Sequence, residues 1–253
     1  MANEMTNTDR ESPTRNEENC PAIGIRWNRR LMNESIHAVF KVMFSKYCTS
    51  TFSFSHSQGT GAFYTYCKKS LFITCSHVVP TNSIQDVVKH VTLIYPEIGD
   101  AKDDSELKFE KEHLLCCWTR KCNCLDATVI ELSAEGKKYF RELNIKFLEI
   151  SEAKQNDLVV IMQMTEGEGK LGSGIIDKVE NSKVFYKIAT APGNSGAPVL
   201  DQNCMAIAIH CSGDSTNADN FKPIADQSDL QRVASSLPDI LNAFFIECSP
   251  LYA

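Results

Sequence analysis

Residues 59–79 read GTGAFYTYCKKSLFITCSHVV. Two runs in this stretch, GAFYTYC (61–67) and LFITCS (71–76), are rich in aromatic and β-branched residues and are split by a polar Lys-Lys-Ser turn. That pattern predicts an antiparallel hairpin. Outward from it, HAVFKVMF (37–44), HVTLIYP (90–96), HLLCCW (113–118) and DATVIEL (126–132) have the same make-up between turn residues. Together they give about six strands before residue 135. The polar GDAKDDSE (99–106) reads as a loop, and the charged EGKKYFRELN (135–144) as a link between two halves.

The second half repeats the style. DLVVIMQM (157–164), SGIIDKVE (173–180), KVFYKIA (183–189), GAPVLD (196–201), MAIAIHC (205–211) and a short segment from Phe221 to Ile224 are strand candidates. In the final stretch Leu230, Val233, Leu237, Ile240, Leu241 and Phe244 suit one helical face, with Pro238 as a break or kink. The predicted fold is therefore all-β, with two six-stranded antiparallel β-barrels and a C-terminal α-helix. The first barrel is expected over about 37–134, the second over about 150–225 and the helix over about 226–247. Residues 1–22 read as a disordered polar tail and 23–253 as one folded domain.

The totals narrow the function classes. A chain of 253 residues with 43% hydrophobic and 23% charged residues has enough apolar material for two small cores. A net charge of -6 argues against nucleic acid as a partner. No apolar run approaches the roughly 18 residues that span a bilayer, and the polar N-terminus has no signal-peptide core. The expectation is an intracellular protein without a membrane partner. The 11 cysteines are expected to be reduced thiols.

Three positions carry chemistry. In Thr190-Ala191-Pro192-Gly193-Asn194-Ser195-Gly196-Ala197-Pro198, glycines flank a serine and let the backbone turn tightly around an open hydroxyl. A serine nucleophile needs a base and donors for a developing oxyanion, and the N–H groups of Gly193 and Ser195 can supply the donors. The same stretch also reads as an ordinary turn. His77 ends the LFITCS strand, where a base would be fixed over a core. Asp126 opens DATVIEL and can orient an imidazole.

Taken together, GTGAFYTYCKKSLFITCSHVV, LDATVIEL and APGNSGAPVLD resemble, in order, the three active-site blocks of the chymotrypsin-like serine peptidases, over roughly residues 37–225. The resemblance is closest to the intracellular, HtrA-like, glutamyl endopeptidase and viral branches. It implies perpendicular barrels with the site between them, a catalytic triad of His77, Asp126 and Ser195, an oxyanion hole from Gly193 and Ser195, a polypeptide substrate and no cofactor. Asn194 stands where the digestive enzymes carry an Asp that pairs with a freshly cut N-terminus, so activation by N-terminal cleavage is not expected. Val78 stands where those enzymes have a disulfide cysteine. The resemblance further places Cys211, Ser212 and Gly213 along the substrate backbone. It places His210 and Thr190 in the primary specificity pocket, where two hydrogen-bond donors favour Glu or Gln before the cut.

Two other readings stand beside these. Cys116, Cys117, Cys122 and Cys124 with His113 invite a zinc site, but the CC-x4-C-x-C spacing is irregular and no metal is expected. The alternative function is a catalytically silent protease-fold scaffold. The sequence does not set the oligomeric state.

Overall fold

The protein's computed structural model describes residues 29–48, 53–95, 106–165, 168–188, 190–213 and 231–248. The expected tail at 1–22, most of the 99–106 loop and the strand at Phe221–Ile224 lie outside the described residues. The chain is mostly β, built as one sheet and one closed barrel.

The first half forms an eight-stranded sheet. Strands β1 (Val39–Cys48), β2 (Ser53–Tyr66), β3 (Lys69–Thr74), β4 (Val91–Ile94), β5 (Glu106–Lys108), β6 (Leu114–Lys121) and β7 (Asp126–Leu132) lie in the order β5-β4-β1-β2-β3-β7-β6. The eighth, β8 (Leu148–Glu149), runs parallel to β2. The hairpin expected from residues 59–79 is the β2–β3 ladder, in which Gly61 faces Thr74 and Tyr66 faces Lys69. The first barrel expected from the sequence is not closed: no ladder joins the edge strands β5 and β6 among the described residues. β5 has only three residues, and a 3-10 turn at Lys111–His113 leads straight from it into β6. Within the described residues β5 therefore offers few ladder positions for closure. The core of this half is aromatic. Phe63 makes ring contacts with Phe40, Phe72, Phe109 and Phe140, and all five are buried.

Three helices in this half were not expected. They are α1 (Arg29–Ile36), α2 (Ile84–His90) and α3 (Ala134–Glu142). Ser83 and Ser133 cap α2 and α3 by accepting from the N–H groups of Asp86 and Gly136. The charged 135–144 stretch is thus α3 rather than an open link, and it buries Phe140 on its inner face.

The second half closes. Strands β9 (Leu158–Thr165), β10 (Glu168–Glu180), β11 (Lys183–Lys187), β12 (Pro198–Leu200), β13 (Ala206–Gly213) and β14 (Gln231–Ser236) form a barrel in the order β10-β11-β14-β13-β12-β9. The apolar run in β9 is continuous because both of its faces are buried. Val159 and Ile161 fill the barrel, while Val160, Met162 and Met164 join the core shared with the first sheet.

β14 corrects the expected helix over 226–247. Residues 231–236 are the barrel's closing strand, and α4 (Leu237–Cys248) begins only after them. The apolar spacing counted Val233 toward a helical face, yet in the strand Arg232 and Ala234 are the buried neighbours and Val233 is only half-buried. Pro238 lies in the first turn of α4, where its missing N–H breaks no helical bond, so it produces no break. α4 also braces the first sheet. Phe244 meets Trp118 of β6, Phe245 stacks on Tyr66 of β2, and the Trp118 indole donates to Glu247 at 2.7 Å. No helix among the described residues is long and apolar enough to cross a membrane.

Candidate active site

The barrel and the sheet meet through backbone atoms. The Thr60 N–H donates to the Ser195 carbonyl at 2.7 Å, while on the barrel side the Gly196 N–H donates to the His210 carbonyl at 2.7 Å and holds the loop to β13. The Thr60 hydroxyl donates to the Gly193 carbonyl at 2.9 Å. A side chain at Gly59 would meet Val78 at 2.5 Å and the Ser195 carbonyl at 2.6 Å. Glycine there lets the segment carrying His77 and the loop carrying Ser195 close on one seam. Val78, with no disulfide beside it, packs into this gap.

His77 follows β3 and Asp126 starts β7, which pairs with β3. That pairing brings His77 Nδ1 to 2.5 Å from Asp126 Oδ2. The other carboxylate oxygen accepts from the Ser76 hydroxyl at 2.5 Å and from the His77 N–H at 3.2 Å. Burial works to raise the Asp126 carboxyl, but these hydrogen bonds, with that to His77 foremost, hold it below the ordinary carboxylate range. The side chains of His77 and Asp126 are 34% and 20% exposed, so the imidazole is open to a reactant while its partner is shielded.

Ser195 lies at the same seam, but its hydroxyl donates to the Cys211 carbonyl at 3.3 Å rather than to His77. The sequence-expected residues therefore divide: His77 and Asp126 are hydrogen-bonded to each other, and no hydrogen bond among the described residues joins Ser195 to the imidazole. Gly193 has φ +95, a conformation open to glycine and strained for other residues. The N–H groups of Gly193 and Ser195 have no internal acceptor among the described residues. A cleft of about 330 Å³ opens beside this loop, lined by Lys41, Gln58, Met164 and Pro192 among others.

Cys75 reaches within 4.8 Å of the His77 and Asp126 ligand atoms. It is fully buried and donates to the His210 carbonyl at 3.2 Å, and burial pushes its thiol well above the usual range. A neutral buried thiol is neither a nucleophile nor a metal ligand. The Cys116–Cys124 run does not converge. Cys117 donates to the Thr81 carbonyl at 3.2 Å, Cys116 faces Glu131, and Cys122 and Cys124 meet each other 3.0 Å apart at the far end of β6. His113 faces Tyr139 and the Glu110 N–H.

His210 is buried inside one end of the barrel with Nδ1 2.7 Å from the Tyr186 hydroxyl. Burial first, then the nearby Arg232 and His77 charges, push it down to about 3. In an unfolded chain an imidazole titrates near 6.5, so at pH values between the two the unfolded state binds a proton that the folded state does not. The stabilisation is complete above about pH 6.5 and is lost as pH falls toward 3. Between pH 7 and pH 4 this residue is expected to cost roughly 3 kcal/mol of stability. Urea unfolding at both pH values, in the wild type and in His210→Asn, checks this: the variant's pH dependence should be shallower by that amount.

Thr190 is half-buried, five positions before Ser195. Ser212 and Gly213 pair with Val233 and Arg232 of β14 on one side, while pairing with β12 ends at Ile209. The other edge of Cys211–Gly213 thus carries no strand among the described residues. Arg232 was missed by the sequence reading. Its place depends on β14 being a strand, and the one available signal was the alternation of Arg232, Ala234 and Ser236.

Scanned against protein-family models and against curated proteins, the chain gives no match.

Proposed function

We propose that the protein is a serine endopeptidase of chymotrypsin-like design, with the first sheet in the place of the first barrel. The observation that carries this reading is the 2.5 Å contact of His77 with Asp126, beside a loop whose Ser195 carbonyl is tied to Thr60. Asp126 fixes the imidazole with its proton on Nδ1, leaving Nε2 free to accept the Ser195 proton. The hydroxyl then attacks the scissile carbonyl, the N–H groups of Gly193 and Ser195 receive the oxyanion, and His77 returns the proton to the leaving amine. Water resolves the acyl-enzyme by the same route. No cofactor takes part.

The open edge of Cys211–Gly213 suits an added substrate strand. His210 and Thr190 receive the side chain before the cut. A Tyr186 hydroxyl that donates to Nδ1 leaves the neutral His210 with its proton on Nε2, from which it donates to a Glu or Gln oxygen.

The second reading is a catalytically silent scaffold, and the bond from Ser195 to the Cys211 carbonyl favours it. Fluorophosphonate labelling separates the two. Labelling of the wild type with none in Ser195→Ala is the expected result. A wild type that stays unlabelled at neutral pH overturns the peptidase reading and favours the scaffold.

A further inference from the structure

We infer that Arg232 makes the pocket at His210 selective for a carboxylate side chain, so that the residue before the cut is Glu in preference to Gln. This rests on reading that pocket as the seat of the residue before the cut.

Arg232 is only 8% exposed. It stands on β14 opposite Tyr186 of β11 on one side and Gly213 of β13 on the other, so it lies between the partner of His210 and the proposed substrate edge. Its Nε donates to the Ile188 carbonyl at 3.3 Å, two residues before Thr190. Among the described residues no carboxylate reaches it, and the rest of the guanidinium has no hydrogen-bond partner. A buried cation is stable when it is paired, and an unpaired one favours an anion that comes within its reach. His210 does not compete for this role. Burial and the Arg232 charge keep it neutral, so it donates a hydrogen bond without adding charge. Thr190 and His210 serve an amide oxygen and a carboxylate equally well. Arg232 separates the two, because a guanidinium pairs with a carboxylate through charge-assisted bonds that an amide cannot match.

The test uses acetylated peptide aminocoumarins that differ only in Glu or Gln before the cut. The wild type is expected to favour Glu by about tenfold or more in kcat/KM. In Arg232→Gln the ratio should fall to within about threefold, chiefly through loss on the Glu substrate, and Arg232→Lys should restore part of it. A wild type that cuts the Gln peptide as well as the Glu peptide overturns the proposal. So does an Arg232→Gln protein that keeps the wild-type ratio. Should Arg232→Gln not fold, the wild-type ratio decides alone, and a value below about threefold counts against Arg232. Binding of acetyl-peptide amides ending in Glu or Gln to the Ser195→Ala protein keeps this separate from catalysis. An Arg232-dependent preference for Glu there supports the pocket even where no hydrolysis is seen, and equal binding of both refutes it.

Discussion

Asp126→Asn is expected to lower the rate of peptide hydrolysis at neutral pH by about 10⁴-fold while leaving the fold in place. The carboxylate accepts three hydrogen bonds, from His77 Nδ1, the Ser76 hydroxyl and the His77 N–H. An asparagine amide fills the same space but carries one acceptor and one donor. If its oxygen stays with Ser76 and the backbone, its NH₂ faces Nδ1 and places the imidazole proton on Nε2, where it cannot take a proton from Ser195. Single-turnover hydrolysis measures the effect, and a urea unfolding curve shows whether the variant is folded. A drop of less than about tenfold in a folded variant would remove Asp126 from the role proposed for it.

The second large effect is structural. Gly196→Ala is expected to destabilise the protein by about 4 kcal/mol or more. A Cβ at this position would stand 2.0 Å from the Thr60 carbonyl oxygen and 2.6 Å from the Thr74 hydroxyl, at a backbone φ of +90. Both obstacles belong to strands: Thr60 bonds to Ser195 through its backbone, and the Thr74 hydroxyl bonds to the Thr60 carbonyl. Neither can move without opening the seam. Gly193→Ala is the control. It has a similar φ of +95, but among the described residues its Cβ would meet only the Met164 carbonyl, at 3.8 Å. Backbone strain alone predicts a loss of about 1–2 kcal/mol there. Urea midpoints for the two variants measure the difference, and equal losses would show that crowding at Gly196 is not the cause.

What could be read from the sequence follows from where each signal is stored. The β2–β3 hairpin and most barrel strands were legible because residues such as Phe63, Phe72, Val159 and Ile161 combine β-propensity with burial. The helices α2 and α3 were not read from the sequence, because short helices between strands, here capped by Ser83 and Ser133, are easily taken for loops. β14 was not legible. Its Ala and Ser residues carry little propensity of their own, and a single Val233 fits either period. At the site, the joining of His77 and Asp126 depends on the pairing of β3 with β7, which turn spacing alone does not fix. The open edge between β5 and β6 could not be foreseen either, because the strand patterns matched those of a closed barrel.

The contacts that build the seam join residues very far apart in the chain. Thr60 meets Gly193 across 133 positions, and Cys75 meets His210 across 135. Each half can complete its own ladders first, whereas these contacts must wait for both halves and for the loop between them to close. Docking is therefore the late step in folding, and it is the step that completes the proposed site. A chain still emerging from the ribosome has His77 and Asp126 in hand long before Ser195. The proposed site therefore stays incomplete until the second half has been made and has docked.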